Sequence, residues 1–281
     1  MKLTYTILKE EPLRDFVKAQ HISDKLLSAI KSKGDMRVNG IHVTIRYLLK
    51  KNDILEIDFP KEERGMQLTP TQMALDIVYE DEYLLVVNKP AMMACIPDHR
   101  YHDGTLANGL IDYYEKIGLE STVHFVNRLD RETSGLLIIA KYRYIHYLLS
   151  VTIIERKYKA LVYGHVSSQN INLPIGRKDN NVKREIMNDG KVAITHCRLI
   201  KQEKNHSLVE CRLETGRTHQ IRVHMSAIGH PLIGDSLYGD IQNEAKTYYL
   251  HSYYVSFTHP ITKEVLTFVK ERAIDENLIE K

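Results

Sequence analysis

The segment NRLDRETSGLLIIAK, residues 127–141, joins a charged bend to a strongly apolar run. Its second half, LLIIA, has the length and composition of a buried β-strand, and the Thr-Ser-Gly triplet at 133–135 is typical of the bend that leads into one. Immediately before that bend, Asp130 lies between Arg128 and Arg131. A carboxylate with guanidinium neighbours stays ionised, and an ionised carboxylate can act as a nucleophile or a base. The same pattern also fits a structural ion pair at the start of a strand.

The segments around this strand predict the fold class. They are rich in Val, Ile, Tyr and Leu, which favour β-strands, and fewer helical stretches lie between them. We therefore predict an α+β domain with a mixed, largely antiparallel sheet over residues 76–281. In the helical stretch THQIRVHMSAIG, Thr218 is placed to cap the start, and Gly229 and Pro231 to end it. The strand-like segments are IVYEDEYLLVVNKP, RKYKALVYGHV, VAITHCRLI, HSLVECRLET and YYVSFTHP.

Residues 1–60 have a different pattern, which predicts a small α/β unit. Apolar residues recur at helical spacing in two short stretches, and Ser23 is placed to cap the second. The dipeptide Asn39-Gly40 between Val-rich runs predicts a β-hairpin, and NDILEIDF alternates as a strand does. Two helices followed by a small hairpin is a known shape for an RNA-binding appendage. The polar stretch that follows, with its Pro and Gly, predicts a linker at 61–75.

Composition excludes several classes of protein. No apolar run approaches the ~20 residues that cross a bilayer, and the first residues lack the apolar core of a secretory signal. The three cysteines, Cys95, Cys197 and Cys211, match no zinc spacing and fit buried thiols in a reducing compartment. We therefore expect a cytoplasmic protein without a metal site. The net charge of +3 arises in residues 1–60, with eleven Lys and Arg against eight Asp and Glu, which is weak support for a nucleic-acid partner.

A second candidate segment is ETGRTHQIRVH, residues 214–224. Arg217 falls at the start of the predicted helix, where its charge could pair with a carboxylate from elsewhere in the chain. Arg222 lies off the apolar stripe of that helix. The bland interpretation is a solvated helix face, with His219 and His224 as hydrogen-bonded structural residues.

A third candidate segment is ERKYKALVYG, residues 155–164. Tyr158 is a strand aromatic flanked by Lys157 and Lys159. An aromatic side chain with basic neighbours suits stacking on a nucleobase beside phosphates. An ordinary tyrosine on a sheet surface fits the same pattern.

Taken together, these segments resemble the RluA-type pseudouridine synthase family. The run RLDRETSGL at 128–136 is similar to the signature around that family's catalytic aspartate, and RKYKALVYG and TGRTHQIRVH are similar to its tyrosine and arginine motifs. The matches keep the family's order over residues ~76–270, and residues 1–60 resemble the S4-type RNA-binding domain that often precedes this catalytic domain. Further matching blocks are EDEYLLVVNKP, HPLIGDSLYG and HSYYVSFTHP.

The resemblance implies a reaction and roles for individual residues. Uridine has its C1′–N1 bond broken, the uracil rotated and a C1′–C5 bond formed. Asp130 would start this by attacking C1′ or by removing the 2′ proton, and both routes stay open. Arg217 would pair with Asp130, Tyr158 would stack on the base and could help to remove the C5 proton, and Arg128 would fill the gap left by the extruded base. The resemblance implies neither a metal nor an organic cofactor.

Two departures from the family pattern stand out. Asn127 occupies the place where the family usually has His, and it leads us to expect altered RNA contacts with catalysis retained. The segment NKPAMMACIPDH at 88–99 lacks the usual Gly after Pro-Ala and the usual His-Pro. Met92 and Cys95 there suggest a differently shaped loop near the substrate.

The expected partner is structured RNA, with ribosomal RNA ahead of transfer RNA, and the expected oligomeric state is a monomer. Two other functions remain open: a non-catalytic RNA-binding or chaperone protein on the same scaffold, and a glycosidase-like hydrolase, although glycosidases generally use two carboxylates. Basic residues predicted to contact phosphates, besides Arg128, are Lys31, Lys33, Arg37, Arg177, Lys178, Lys183 and Arg184.

Overall fold

The computed structural model describes residues 1–62, 68–178, 182–239 and 247–273. Residues 63–67 of the predicted linker, 179–181 of the basic loop, and 240–246 and 274–281 of the domain predicted at 76–281 lie outside these ranges. Within them, no helix combines the length and the apolar character that a membrane crossing requires.

The N-terminal unit has the two helices and the hairpin that its sequence predicts. The side chain of Ser23 accepts a hydrogen bond from the backbone of Leu26, 3.3 Å away, and caps the second helix. Asn39 and Gly40 both have positive φ, 52° and 80°, as a two-residue type I′ hairpin requires. Four strands pair antiparallel in the order β1-β6-β3-β4. The elements are β1 Lys2–Thr6, β2 Glu11–Pro12, α1 Leu13–Ala19, α2 Asp24–Lys33, β3 Asp35–Val38, β4 Ile41–His42, β5 Leu48–Leu49 and β6 Ile54–Asp58.

The rest of the chain forms the predicted mixed, mostly antiparallel sheet with few helices. The main path runs β12-β15-β16-β11-β17-β10-β8-β7, with β18 on β17 and β9 on β10. The α+β fold class is confirmed. The elements are β7 Ile77–Glu80, β8 Leu84–Lys89, α3 Leu106–Lys116, β9 His124–Phe125, β10 Ser134–Ala140, α4 Arg143–Ser150, β11 Ile154–Tyr163, β12 Gln169–Asn172, β13 Ile175–Gly176, β14 Glu185–Ile186, β15 Ile194–Gln202, β16 His206–Leu213, α5 Gln220–Ala227, β17 Leu250–Thr258 and β18 Val265–Val269.

Strand β10 is buried along its whole length because both faces of the sheet are covered. Leu137 and Ile139 pack into a core with residues of α3 and α5. Leu136 and Ile138 point the other way, into a core that the sheet shares with the N-terminal unit. This explains why LLIIA is continuously apolar and does not alternate.

The N-terminal unit is docked on the sheet by aromatic and polar contacts as well as by the shared core. Phe59 stacks on Tyr144 of α4 with ring centroids 5.0 Å apart. The hydroxyl of Tyr144 also donates a hydrogen bond to the carbonyl of Gln20, 2.6 Å away. The two parts of the chain therefore form one continuous apolar interior.

The strand pairing in the central sheet changes from antiparallel to parallel where β10 meets β17. These two strands run parallel, with Ser134 beside His251 and Gly135 beside Ser252. Gly135 has φ +114°, and an added Cβ would lie 2.3 Å from the carbonyl oxygen of Ser252. Only glycine fits this close approach, which sets the backbone just downstream of Asp130.

Helix α5 begins one residue later than its sequence suggests. The predicted cap, Thr218, is wrong: the N-cap is His219, in the left-handed region with φ 59°, and it makes no side-chain cap bond. The predicted end is confirmed, since Gly229 has φ +84° directly after the last turn. The side chain of His219 therefore does not cap the helix, and it lines the cavity that contains Asp130.

Candidate active site

Asp130 lies in the turn between β9 and β10. Its carbonyl oxygen accepts a hydrogen bond from the backbone of Thr133, 3.1 Å away, which closes the turn. Its side chain is 24% exposed and lines a cavity of about 820 Å³, within the usual size range of ligand sites. The carboxylate is therefore held at the base of an accessible cavity.

The guanidinium that reaches Asp130 belongs to Arg222 of α5. Its Nη1 lies 3.4 Å from Oδ2 of Asp130. The expected pairing of Asp130 with Arg217 is wrong. The side chain of Arg217 is exposed, and its Nε donates a hydrogen bond to the carbonyl of Val192, 2.9 Å away. Arg217 does line the same cavity. The sequence motif therefore belongs to the site, but the arginine of the motif that contacts Asp130 is Arg222 and not Arg217. Arg222 lies off the apolar stripe of α5 and is buried only because a carboxylate from another part of the chain meets it.

Arg222 is fixed in place by a second carboxylate. Asp235, whose side chain is fully buried, accepts two hydrogen bonds from Nε and Nη2 at 2.7 and 2.8 Å. The guanidinium carbon also lies 5.0 Å from the ring centroid of Tyr238 and 4.6 Å from that of Tyr248. Burial opposes the charge, but the hydrogen bonds to Asp235 and the nearby acidic groups together outweigh it and raise the pKa of Arg222 above its ordinary value. Arg222 is thus a permanently charged group presenting one remaining nitrogen to Asp130.

Tyr158 enters the same cavity from the middle of β11. It lies opposite Cys211 on one side and Ser252 on the other, at a bulge in the pairing with β17. The residue is 5% exposed, and burial raises the pKa of its phenol although Arg156 opposes the shift. The ring is therefore a neutral aromatic surface in the same cavity as Asp130.

The lysines on either side of Tyr158 do not share its surroundings. Lys157 lies over the ring of Tyr254, and Lys159 pairs with Glu271 at 2.7 Å. Neither lines the cavity of Asp130. The expected arrangement of phosphate-binding lysines beside Tyr158 is wrong because neighbouring residues of a strand point to opposite faces.

The basic residue that does accompany Tyr158 is Arg156, two positions earlier on the same strand. Its Nε is buried and has no hydrogen-bond partner among the residues that the structure describes. An added Cβ at Gly216 would lie 3.2 Å from Nη1 of Arg156, so a larger residue there would crowd the guanidinium. Arg156 thus brings to the cavity a guanidinium whose Nε has no partner among the described residues. Its spacing from Tyr158 was the signal in the sequence that could have identified it.

A buried lysine supports the loop beneath Asp130. The Nζ of Lys89 donates to the carbonyls of Pro90, Met93 and Arg131, at 2.8, 2.8 and 3.1 Å. Burial lowers the pKa of Lys89 to about 8, although nearby acidic groups oppose the shift. One ammonium therefore joins the segment after β8 to the residue that follows Asp130.

The two departures from the family pattern have structural explanations. Asn127 is largely buried at the edge of the cavity, and its Oδ1 accepts from the backbone of Ile138 at 2.8 Å, so its side chain supports the local backbone; the expected change in RNA contacts stays a prediction. The thiol of Cys95 donates to the carbonyl of Leu129 at 3.2 Å and lines the cavity. Met92 has φ +65° at the turn that precedes it. The altered loop therefore does border the site.

The predicted RNA-contacting residues fall into three groups. Arg128 is exposed at the cavity. Lys31 and Lys33 are exposed at the end of α2, whereas the Nε of Arg37 pairs with Asp35 at 2.7 Å. The third group borders the undescribed segment 179–181: Arg177 and Lys178 are exposed, and Lys183 and Arg184 are half-buried.

Comparison with known proteins gives a consistent result. Residues 83–227 match the family model described as RNA pseudouridylate synthase. The chain is 44% identical to the uncharacterized RNA pseudouridine synthase YjbO of Bacillus subtilis, over 88% of this chain and 90% of that protein. It is 41% identical to the ribosomal large subunit pseudouridine synthase D of Zymomonas mobilis, over 84% and 80%. Among solved structures, human RNA pseudouridylate synthase domain containing 1 is similar with a TM-score of 0.59 and 27% identity, covering 71% of this chain and 84% of that one.

Proposed function

The chain belongs to the RNA pseudouridylate synthase family and isomerises uridine in RNA, and from that premise we propose that its substrate is ribosomal RNA and that Asp130 is the catalytic carboxylate. The ribosomal substrate is supported by the relative of Zymomonas mobilis, which is named for the large ribosomal subunit. Transfer RNA is the second candidate substrate.

The observation that carries the role of Asp130 is its carboxylate at the base of a cavity with a buried arginine beside it. The reaction must break C1′–N1, turn the uracil and form C1′–C5. A carboxylate at the sugar of an everted nucleotide can begin this by attacking C1′ or by taking the 2′ proton. Either route uses the carboxylate form, and Arg222 places its positive charge 3.4 Å from Oδ2 of Asp130.

The other cavity residues have complementary roles in this proposal. Tyr158 offers the aromatic surface on which the uracil stacks, and Arg222 takes the pairing role that the sequence had suggested for Arg217. Arg128 and Arg217, both exposed at the cavity, contact the RNA around the everted nucleotide, with Arg128 in the gap that it leaves. Arg156 supplies a positive charge for a phosphate or a uracil carbonyl.

Residues 1–60 act in this proposal as an S4-like RNA-binding domain. Their positive charge and the exposed Lys31 and Lys33 support this role. The segments around Arg177 and Arg184 extend the contact to the RNA. The protein acts as a monomer, and its ribosomal substrate places it in the cytoplasm.

The decisive test is Asp130→Asn, assayed for pseudouridine in ribosomal RNA transcripts. We expect product formation to fall below detection while RNA affinity stays within a few-fold, since the amide keeps the shape and loses the charge. Asp112→Asn on α3 is the matched control, because its ion pair with Lys116 lies on the helix surface. Turnover retained in Asp130→Asn contradicts the assignment, and free uracil among the products of the wild-type protein indicates hydrolysis.

The substrate is tested by mapping pseudouridines in ribosomal and transfer RNA from cells with and without the protein. We expect specific ribosomal positions to lose the modification when the protein is absent. A loss confined to transfer RNA would contradict the ribosomal assignment without affecting that of Asp130.

A further inference from the structure

We propose that His219 is a positioning residue, which as a neutral imidazole protonated on Nε2 orients the carboxylate of Asp130, and that Tyr238 fixes this tautomer. The inference rests on the proposed role of Asp130. The proposed tautomer of His219 is independent of that role, because it is argued from hydrogen bonds whose donors are assigned one after another.

The assignment starts at the backbone of Arg184. Its N–H can only donate, and it lies 2.7 Å from the hydroxyl oxygen of Tyr238. With that oxygen acting as acceptor, the phenolic proton remains to be donated. Among the residues that the structure describes, the acceptor in reach is Nδ1 of His219, 2.8 Å away. We assign Nδ1 as the acceptor of this proton, and the proton of the neutral ring is then on Nε2, the nitrogen on the side of the Asp130 carboxylate.

The protonated nitrogen faces the catalytic carboxylate. Nε2 of His219 lies 3.8 Å from Oδ2 of Asp130, and Nη1 of Arg222 approaches the same oxygen at 3.4 Å. Both distances exceed those of a formed hydrogen bond, and such bonds often tighten when the substrate binds. Because both donors point at Oδ2, Oδ1 is the oxygen left to react with the ribose.

The backbone supports a role in the site for this histidine. His219 has φ 59° and ψ 18°, a left-handed conformation that is unfavourable for a non-glycine residue. The strain is not offset by capping, since the side chain makes no bond to the amides of α5. It does direct the imidazole toward Asp130. Burial lowers the pKa of His219, with the charge of Asp130 opposing the shift, which agrees with a neutral ring.

Tyr238 also joins the carboxylate to the basic segment of the chain. The ammonium of Lys183 and the guanidinium of Arg222 both lie near the ring of Tyr238, 5.5 and 5.0 Å from its centroid. Its hydroxyl is held by the backbone of Arg184.

The first test is the tautomer itself, read from the ¹⁵N shifts of the imidazole in full-length protein labelled at histidine, with His219→Gln used for assignment. We expect the Nε2–H form in the wild type and a mixture of tautomers in Tyr238→Phe. An Nδ1–H form or an imidazolium in the wild type near neutral pH would overturn the proposal, whatever the enzyme's activity.

The second test compares His219→Gln with His219→Met, which are similar in length and equally strained at this backbone position. Only Gln keeps an N–H donor. We expect kcat to fall by up to about 100-fold in His219→Met with KM nearly unchanged, and Gln to recover part of the loss. Equal kcat in the two variants would overturn the proposal. Failure of the proposed function would instead appear as turnover in Asp130→Asn.

Discussion

Arg222 gives two of its nitrogens to Asp235, and only the third is left for Asp130. The two hydrogen bonds to Asp235 are 2.7 and 2.8 Å long, whereas the contact with Asp130 is 3.4 Å. The planar guanidinium suits this division, because its donors have a fixed geometry. Asp235 thus orients the guanidinium of Arg222 toward Asp130, and one carboxylate oxygen of Asp130 stays free to react.

We expect Arg222→Lys to lower kcat by about 100-fold, because a single ammonium cannot bind Asp235 twice and still face Asp130. Arg217→Lys is the matched control from the same motif. Its side chain contacts the carbonyl of Val192 and not the carboxylate, so we expect its effect to fall mainly on KM. Steady-state kinetics on one RNA transcript would check both. A larger loss of kcat in Arg217→Lys than in Arg222→Lys would instead support the pairing of Arg217 with Asp130 that the sequence suggested.

We expect Arg156→Gln to raise KM and to change the salt dependence of RNA binding. If its charge meets a phosphate, the slope of log Kd against log salt should fall by about one. A contact with a uracil carbonyl would raise KM without changing the slope. Lys157→Gln is the control, because Lys157 lies over Tyr254 outside the cavity. Equal behaviour of the two variants would exclude a specific role for Arg156.

We expect Gly135→Ala to destabilise the protein by about 3 kcal/mol or more, since the new Cβ would clash with the backbone of Ser252 and neither strand can move freely. Gly118→Ala is the matched control: it also has positive φ, +68°, but nothing lies within 4 Å of its Cβ. There only the backbone strain of about 1–2 kcal/mol remains. Urea unfolding gives both values. Similar losses in the two variants would show that the strand junction is not the tight contact described.

The lowered pKa of Lys89 predicts that the stability of the protein depends on pH. Its pKa is about 8 in the folded protein against 10.5 ordinarily, so between these values the unfolded chain binds more protons than the folded one. Stability attributable to Lys89 therefore rises with pH across this window and is lost as pH falls through about 8. Relative to Lys89→Met, the wild type should gain about 2–3 kcal/mol between about pH 7 and about pH 10, measured by urea unfolding of both proteins. A constant difference would mean that the ammonium is not buried as described.

The sequence alone determined the local elements and singled out the candidate catalytic segment. The apolar run after Asp130, the Asn39-Gly40 turn and the cap at Ser23 all depend on neighbouring residues, and local preferences fix them. The same holds for the resemblance that pointed to Asp130, because its motifs are continuous in the chain.

Only the tertiary structure decided which charges meet. Arg222 and Asp130 are 92 positions apart, and their contact follows from the docking of α5 against the turn before β10, which no local period encodes. The sequence did not predict that Arg222 and Lys89 are buried, since a cation's usual place is in water. Their burial is stable because the fold brings carboxylates and aromatic rings around Arg222 and backbone carbonyls around Lys89, and that balance exists only once the sheet has formed.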